Sequence, residues 1–372
     1  MKVKIISDES QFKALRQDWD TLLNTYSPRP LSLTYCWISA WWSCFGGDRQ
    51  LHVVCIYAAD KLVAIAPLMK ERIRYRGLPT TALKLMANGK SPYADVLLDQ
   101  HMTAVMVSEA IELLVSHALK ELLIFAKIPE RSYVYRYLTT GRHGLLVGVK
   151  TSMNTPILKI DQCWDSFYRQ RSRKFRKSLN NKINKYAKEN HSSIDHTIVD
   201  QGNYAILNEI AEVSKNSWKK IIDADFGSCS DETALFRRII DDFGKDGAVH
   251  VWMMRVDGVA VAYEFHVIFD GISYPLRADY DERYKALSPG SILEYTILKS
   301  FFDEKSVSLY DSCADDYWYL RGWSDERRQQ YDMEVFGDGL TARLLYLIEY
   351  GLIPMLRKTR NRVYGLVSRS RS

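Results

Sequence analysis

The stretch that decides the fold spans residues 249–298 and reads VHVWMMRVDGVAVAYEFHVIFDGISYPLRADYDERYKALSPGSILEYTIL. Alternating apolar residues on both sides of Asp257-Gly258 predict two strands joined by a tight turn. A third strand follows, and Ser288-Pro289-Gly290-Ser291 then begins an apolar helix. This order puts a helix N-terminus beside the ends of a small sheet. Because free N–H groups at such a terminus favour anions, we expect a phosphate-bearing ligand, and the chemistry, at this corner.

The length and composition of the chain are typical of a cytosolic, two-domain globular protein. It has 372 residues, of which 47% are hydrophobic and 26% are charged. The six cysteines are scattered and form no CxxC pair or Cys/His cluster, so we expect no metal site. We find no signal-peptide pattern and no window as long and apolar as a membrane-spanning helix. The formal net charge is +6, and basic residues concentrate in 169–188 and 357–371.

Two similar hairpins indicate an internal duplication. Helical patterns precede a hairpin at Asp60 in the first half and a hairpin at Asp257 in the second, 197 residues later. The alternative is a chance likeness between two α/β hairpins. We therefore predict an α/β (α+β) chain with domains at 1–155 and 156–345, followed by a basic C-terminal tail at 346–372.

Glu264 and His266 are the candidate acid–base residues. They lie two positions apart in the strand predicted for Val259–Phe269, so their side chains share one face of it. Partial burial can bring the pKa of either group toward neutrality, which suits a general base. The structural alternative is that Glu264 pairs with a nearby arginine such as Arg277, while His266 is a hydrogen-bonded residue at the rim.

Tyr280 and Tyr284 follow the next strand and are candidates to line a cleft. A tyrosine hydroxyl has an ordinary pKa of about 10, above that of a thiol, so it can protonate a leaving thiolate. The alternative is that both residues belong to a packed, partly exposed connection.

The helix start at Ser288 is the sharpest local signal. Ser288 suits the N-cap, and Pro289 suits the first helical position, where a missing N–H costs nothing. Gly290, followed by Ser291, lets another molecule approach the backbone closely. The sequence contains no GxGxxG and no Walker A motif, which excludes a Rossmann or P-loop site. We predict that these four residues, together with Arg277, bind the phosphate-bearing ligand, which would be the donor in a group-transfer reaction.

Two basic segments add candidate contacts. A helix is predicted over 164–190, and its part 169–188 holds nine basic residues and no acid, with an apolar stripe at helical spacing. Its charge suits RNA, acidic lipid or a nucleotide-bearing donor; the alternative is a solvated face. The basic residues of the tail suit a membrane surface, with a frayed terminus as the alternative.

Several segments together resemble the GNAT-fold acyltransferases of the CelD/BioF2-like family, relatives of the FemAB aminoacyl transferases. In the first half these are TYCWISAWWSCFG, LVAIAPLM and SPYADVLL. In the second half, RSRKFRKSLNNKINK is similar to the family's basic helix. The segment ADYDERYKALSPGSILEYTIL is similar to its strand exit and Pro-Gly helix start, and YDSCADDYWYLRGW is similar to its strand end with an acidic turn. Asp315 stands where the family often has Gly, and Leu320 stands where it often has Lys.

The resemblance implies two tandem GNAT-like domains, each a mixed, mostly antiparallel sheet flanked by helices. It implies transfer of an acyl group from acetyl-CoA or another acyl-CoA to an amine or hydroxyl, in bacterial envelope, exopolysaccharide or cellulose production. The expected protein is cytoplasmic, peripheral at the inner membrane face, and acts on a small-molecule or glycan acceptor. One alternative is a FemAB-like enzyme that uses aminoacyl-tRNA, with 169–188 against the RNA. Another is a non-catalytic component of an envelope synthesis complex.

Overall fold

The computed structural model describes residues 1–118, 121–141, 143–189, 191–337 and 339–355. These residues form one sheet of thirteen strands with helices on both faces, which confirms the predicted α/β (α+β) class. Among them, no helix is both long enough and apolar enough to cross a bilayer. Most of the predicted basic tail, at 356–372, lies outside the described residues.

The first half begins with an edge strand and three helices. Asp8 caps the first helix by accepting hydrogen bonds from the N–H groups of Ser10 (2.8 Å) and Gln11 (3.0 Å), and Thr34 caps the third. The elements are β1 (Lys2–Ile6), α1 (Glu9–Ala14), α2 (Arg16–Leu23), α3 (Tyr35–Phe45), β2 (Gln50–Ala58), β3 (Lys61–Tyr75), β4 (Leu78–Leu85), β5 (Leu97–Leu98), α4 (Ala104–Ala118), β6 (Leu122–Pro129), α5 (Tyr133–Thr139) and β7 (Leu146–Lys159).

The second half contains residues 249–298, the stretch that decides the fold. Its hairpin and helix start lie where the sequence predicts them. The elements are α6 (Trp164–Gln170), α7 (Arg173–Tyr186), β8 (Ser192–Ile198), α8 (Ala205–Lys215), α9 (Ser230–Phe243), β9 (Val249–Val256), β10 (Val259–Phe269), β11 (Ile272–Tyr280), α10 (Pro289–Glu304), β12 (Leu309–Asp311), β13 (Glu326–Phe336) and α11 (Leu340–Tyr346), which continues as a π-helical turn (Leu347–Leu352).

The helix predicted over 164–190 is two helices. Arg171 is extended (φ −69°, ψ 150°) and ends α6, and the Ser172 side chain then accepts a hydrogen bond from Phe175 N–H to cap α7. The sequence of 169–188 does not reveal this break, because its basic residues continue across it. Serine also occurs on the surface of helices, so Ser172 cannot be recognised as a cap without its backbone conformation.

The two halves exchange their last strands. β7 leaves the first half and pairs with β12, while β13 returns from the second half and pairs with β6. β7 and β13 also pair with each other along the full length of β13. The strand order is β1-β2-β3-β4-β6-β13-β7-β12-β11-β10-β9-β8, with β5 beside β3. This exchange makes one continuous sheet out of two similar units.

The same order of elements occurs twice. In each half an antiparallel set of four strands is followed by a helix and then by a strand parallel to the fourth: β6 beside β4, and β12 beside β11. The hairpins match at an offset of 198 residues, because Ala58 pairs with Lys61 and Val256 pairs with Val259. The offset of 197 read from the sequence is therefore one residue short, while the repeated topology supports the duplication.

The helices bury different cores on the two faces of the sheet. On one face, side chains of α1–α3 and of α8 and α9 share a single apolar cluster, which includes the fully buried Trp19, Trp37, Tyr263 and Phe265. On the other face of the second half, α6, α7 and α10 pack over Trp252, Val261 and Tyr310. We call these the α9 face and the α10 face. Both cores approach the same place, the junction between β11 and β12.

Candidate active site at a strand opening

β11 and β12 run parallel for only two residue pairs. Ile272 pairs with Leu309 and Ser273 with Tyr310, after which β12 ends at Asp311 and β11 continues to Tyr280. Within the described part of the chain, this last portion of β11 pairs with β10 alone. The unpaired edge of β11 therefore offers backbone N–H and C=O groups to a ligand. We call this gap the strand opening.

The N-terminus of α10 stands against the far end of the strand opening. Ser288 occupies the N-cap in a left-handed conformation (φ 57°), and its carbonyl accepts hydrogen bonds from Ser291 N–H (3.0 Å) and Ile292 N–H (3.2 Å). Its own side chain makes no capping hydrogen bond, whereas Pro289 takes the first helical position as predicted. A Cβ atom on Gly290 would lie 3.9 Å from Tyr280 Cδ1, so the helix begins beside the end of β11.

Helix α7 brings positive charge to this corner. Lys182 Nζ donates a hydrogen bond to Ser291 Oγ (2.8 Å), and Lys185 Nζ donates one to the Ala286 carbonyl (2.8 Å). Two ammonium groups thus add to the positive end of the α10 dipole, and together they suit a phosphate. The basic segment was recognised in the sequence, but its packing against Ser291 was not.

Glu264 and His266 form a buried hydrogen-bonded chain on the α10 face. Glu264 Oε2 lies 3.0 Å from His266 Nε2, and His266 Nδ1 lies 2.9 Å from Ser273 Oγ. Burial raises the pKa of Glu264 to about 8 and lowers the pKa of His266 to about 3. Both groups are therefore neutral at pH 7, with the Glu264 hydroxyl donating to His266 and the opposite ring N–H donating to Ser273. The predicted shared face is confirmed by this contact.

A second carboxyl group, that of Glu294, belongs to the same cluster. It is buried on α10, and burial, reinforced by the charge of Glu264, raises its pKa well above the ordinary value, while a hydrogen bond from Trp323 acts in the other direction. Tyr310 and Tyr319 adjoin the two carboxyls, and burial raises the pKa of each tyrosine. Sequence reasoning missed Glu294, although it lies at helical spacing from the buried Ile297 and Phe301 of α10.

Arg277 does not join Ser288 and Ser291. Its guanidinium lies on the α9 face, where Nη1 donates to Glu232 Oε1 (2.7 Å), Nε donates to Asp279 Oδ2 (3.0 Å), and Nη2 donates to the Ala224 carbonyl (2.7 Å). The prediction that it binds the donor with the helix start is therefore not supported by its position. The alternative pairing with Glu264 is also absent among the described contacts, because the two side chains lie on opposite faces.

Tyr280 and Tyr284 lie on the α10 face, near the helix start. Both pack at the edge of the apolar cluster under α10, and Tyr284 belongs to the short turn Glu282–Leu287 that leads to Ser288. Burial and a hydrogen bond with Glu282 raise the pKa of Tyr280. Their positions are compatible with the predicted contact to a leaving thiolate, which stays a prediction.

The α9 face of the strand opening is also polar. Asp311, the last residue of β12, is buried and binds Arg328 Nη1, and the Arg328 guanidinium lies 4.6 Å from the centre of the Tyr93 ring. Tyr93 comes from loop 88–95 of the first half, and Lys90 of the same loop pairs with Glu232 (2.7 Å). The loop thus crosses to the second half.

Two departures from the resembling family have structural roles. Asp315 Oδ1 accepts a hydrogen bond from Asn154 N–H of β7 (3.0 Å), and Leu320 is buried. Across the described ranges, no group of three or more His, Cys, Asp and Glu side chains is arranged to hold a metal ion.

Part of the chain matches a known protein family, and its fold is similar to that of several solved structures. Residues 173–321 match the family model described as an acetyltransferase (GNAT) domain. The search of curated proteins gave no match. The crystal structure of FemX superposes with a TM-score of 0.56 at 10% identity, covering 93% of this chain and 100% of that one. The C-terminal DUF2156 domain of a putative lysylphosphatidylglycerol synthetase from Agrobacterium fabrum gives 0.52 at 10% identity, covering 90% and 95%.

A conserved protein of unknown function from Bacteroides thetaiotaomicron superposes with a TM-score of 0.53 at 12% identity, covering 90% of this chain and 100% of that one. At these identities the structures show the fold alone. The chain therefore has two similar units in one sheet, and the acetyltransferase (GNAT) family model matches within the second of them.

Proposed function

We propose that the protein is an acyltransferase that moves an acyl group from acetyl-CoA or another acyl-CoA to an amine or hydroxyl. One observation carries the proposal: inside the region that matches an acetyltransferase domain, the parallel strands β11 and β12 part beside the N-terminus of α10 and Lys182. A donor with a phosphate-bearing end and an amide-bearing arm fits this combination. The helix start and the lysine suit the phosphates, and the unpaired edge of β11 suits the amides.

The reaction proceeds by direct transfer. The acceptor nitrogen or oxygen attacks the thioester carbonyl carbon, the new C–N or C–O bond forms, and the C–S bond breaks. The acceptor proton passes to the Glu264 carboxylate, directly or through water, and Tyr280 or Tyr284 gives a proton to the leaving thiolate. Because His266 keeps its neutral form, it positions the Glu264 carboxyl rather than competing for the proton.

Burial holds the base ready near neutral pH, because it raises the pKa of Glu264 to about 8. The charge that Glu264 gains on ionising raises the pKa of the neighbouring Glu294, so the two buried carboxyls do not ionise together. Glu264 therefore ionises a little above pH 7, where a carboxylate with a high pKa is an effective proton acceptor. The strand backbone around the opening would polarise the thioester carbonyl.

The first alternative is a FemAB-like aminoacyl transferase that uses aminoacyl-tRNA. The specific observation in its favour is α7, the helix that carries Lys182, because its residues Arg173, Lys174 and Lys177 are exposed. A phosphate backbone would suit them equally well. The bacterial envelope or exopolysaccharide setting, and a purely non-catalytic role there, rest on the family resemblance.

A thermal-shift survey distinguishes these functions because a ligand that binds the folded state raises its stability by mass action. We expect acetyl-CoA or a longer acyl-CoA to raise the melting temperature of the wild-type protein, and uncharged tRNA to leave it unchanged. A rise with tRNA that disappears with added salt would favour the aminoacyl transferase. No rise with any of these ligands would oppose both enzymatic functions.

A further inference from the structure

The C-terminal helical stretch displays leucines to the exterior. In α11 and the π-helical turn that continues it, Leu340 is 86% exposed, Leu344 53%, Leu347 58% and Leu352 55%. Spacings of four and three residues place the first three on one side of the helix, and the wider π-helical turn keeps Leu352 near that side. We call these four residues the leucine face. Four exposed leucines in one short helix are unusual for a surface that contacts only water.

The opposite side of this stretch is fixed to the sheet. Glu349 is buried and pairs with Arg76 and with Lys150 Nζ (2.7 Å), and the hydrogen bond from Arg76, followed by the pair with Lys150, lowers the pKa of Glu349 to about 2. Tyr350 donates a hydrogen bond to Glu334 Oε2 (2.7 Å), and Leu345 is buried. These contacts fix the rotation of the helix about its axis, so the leucine face must point outward.

The sequence that follows carries positive charge. Residues 356–372 contain six basic residues and no acidic one: Arg357, Lys358, Arg360, Arg362, Arg369 and Arg371. The leucine face is therefore joined directly to a cationic segment. An apolar helix face next to clustered lysine and arginine is the combination that binds an anionic bilayer surface, because leucines enter the headgroup boundary while basic side chains meet the lipid phosphates.

We propose that the leucine face docks the protein on a membrane surface rich in anionic lipid, which the positive charge of the following sequence favours. This proposal does not depend on the acyltransferase function, because it uses no residue of the strand opening. It also explains the exposed leucines, which a purely electrostatic contact through the tail leaves unaccounted for. A second copy of the chain on the leucine face is the competing occupant, and sedimentation velocity distinguishes it from a membrane.

The test is flotation of the full-length protein with vesicles, either pure phosphatidylcholine or an equal mixture with phosphatidylglycerol. We expect binding to the mixed vesicles, weak binding to the neutral ones, and a steep loss when salt rises from about 0.05 to about 0.5 M. The double variant Leu344→Gln/Leu347→Gln should bind mixed vesicles about tenfold more weakly, since two partly exposed leucines lose their apolar contact. The matched control is Ile221→Gln/Ile222→Gln, which changes two isoleucines that are 85% and 60% exposed elsewhere; it should bind as wild type does.

Three outcomes overturn the proposal: equal binding to neutral and anionic vesicles, no binding to either, or equal losses in the leucine and isoleucine variants. Sedimentation velocity without vesicles decides the competing occupant. If wild type is a dimer and Leu344→Gln/Leu347→Gln a monomer, the leucine face is a self-association surface and the membrane proposal fails. Circular dichroism melting of both variants establishes that the comparison is between folded proteins.

Discussion

Replacing Glu264 with glutamine should stabilise the protein at high pH while it removes the proposed base. In the folded protein burial raises the pKa of Glu264 to about 8, whereas the ordinary pKa of a glutamate is 4.5. The folded state therefore binds more protons than the unfolded state between these two values, and the stability contributed by this group is lost as the pH rises. Each pH unit in this window is worth about 1.4 kcal/mol.

Raising the pH from about 5 to about 8 should thus lower the unfolding free energy of wild type by roughly 3–4 kcal/mol relative to Glu264→Gln. Glutamine has nearly the same shape, stays neutral, and its amide can still donate a hydrogen bond to His266 Nε2. The assay is urea unfolding of both proteins, followed by circular dichroism at several pH values. Near pH 5 the two curves should coincide, and the variant should be more stable above pH 7.

Glu232→Gln is the matched control. Glu232 is also a buried glutamate, but it pairs with Arg277 (2.7 Å) and Lys90 (2.7 Å). Neutralising Glu232 removes one carboxylate partner from the buried Arg277 and from Lys90, so the free energy of unfolding of this variant should fall by about 1–3 kcal/mol at neutral pH. The reasoning about Glu264 is refuted if its glutamine variant shows no pH-dependent gain, or if both variants are equally destabilised at every pH.

Three further predictions concern Glu264, Lys182 and Gly322. Transfer activity, measured as kcat/KM, should rise with pH around a midpoint near 8, because the Glu264 proton must leave before it can act as a base; a flat profile would remove it from that role. Lys182→Ala should weaken acyl-CoA binding about 5- to 20-fold in calorimetry, because Lys182 lies at the proposed phosphate site. Lys177→Ala, on the exposed side of the same helix, is the control and should change the affinity less than about threefold. Equal effects would argue against a specific phosphate contact. Gly322→Ala should lower the free energy of unfolding by about 1–3 kcal/mol, because the new Cβ would lie 2.1 Å from Phe175 Cδ2. Gly89→Ala is the control and should leave the stability unchanged, since a Cβ there meets no atom within 4 Å. Similar melting temperatures for the two variants would contradict this packing.

The local features of the second half were predictable because each depends on near neighbours. Alternation of apolar residues predicts β9 and β10, and Pro289 predicts the start of α10. The shared face of Glu264 and His266 follows from the two-residue period of a strand, and it holds despite the irregular register between β10 and β11 at Phe265. These are consequences of backbone geometry that any reader of the sequence can derive.

Other features depend on contacts between distant residues, and the sequence does not display them. The exchange of β7 and β13 cannot be read from the sequence, because each strand has a local pattern that would also fit pairing within its own half. From the sequence we predict that Arg277 binds the donor together with Ser288, but the Glu232 side chain that binds Arg277 lies 45 residues away, on α9. The partnership of Glu294 with Glu264 likewise requires α10 to be laid across β10.

The most direct test of the central claim is hydrogen–deuterium exchange of the full-length protein with and without acyl-CoA. If the donor binds in the strand opening, amides in the unpaired part of β11 and at Gly290 and Ser291 should become protected when acyl-CoA is present. The corresponding hairpin strands β2 and β3 of the first half should be unaffected. Protection confined to the first half, or to α7 without β11, would contradict the location of the active site.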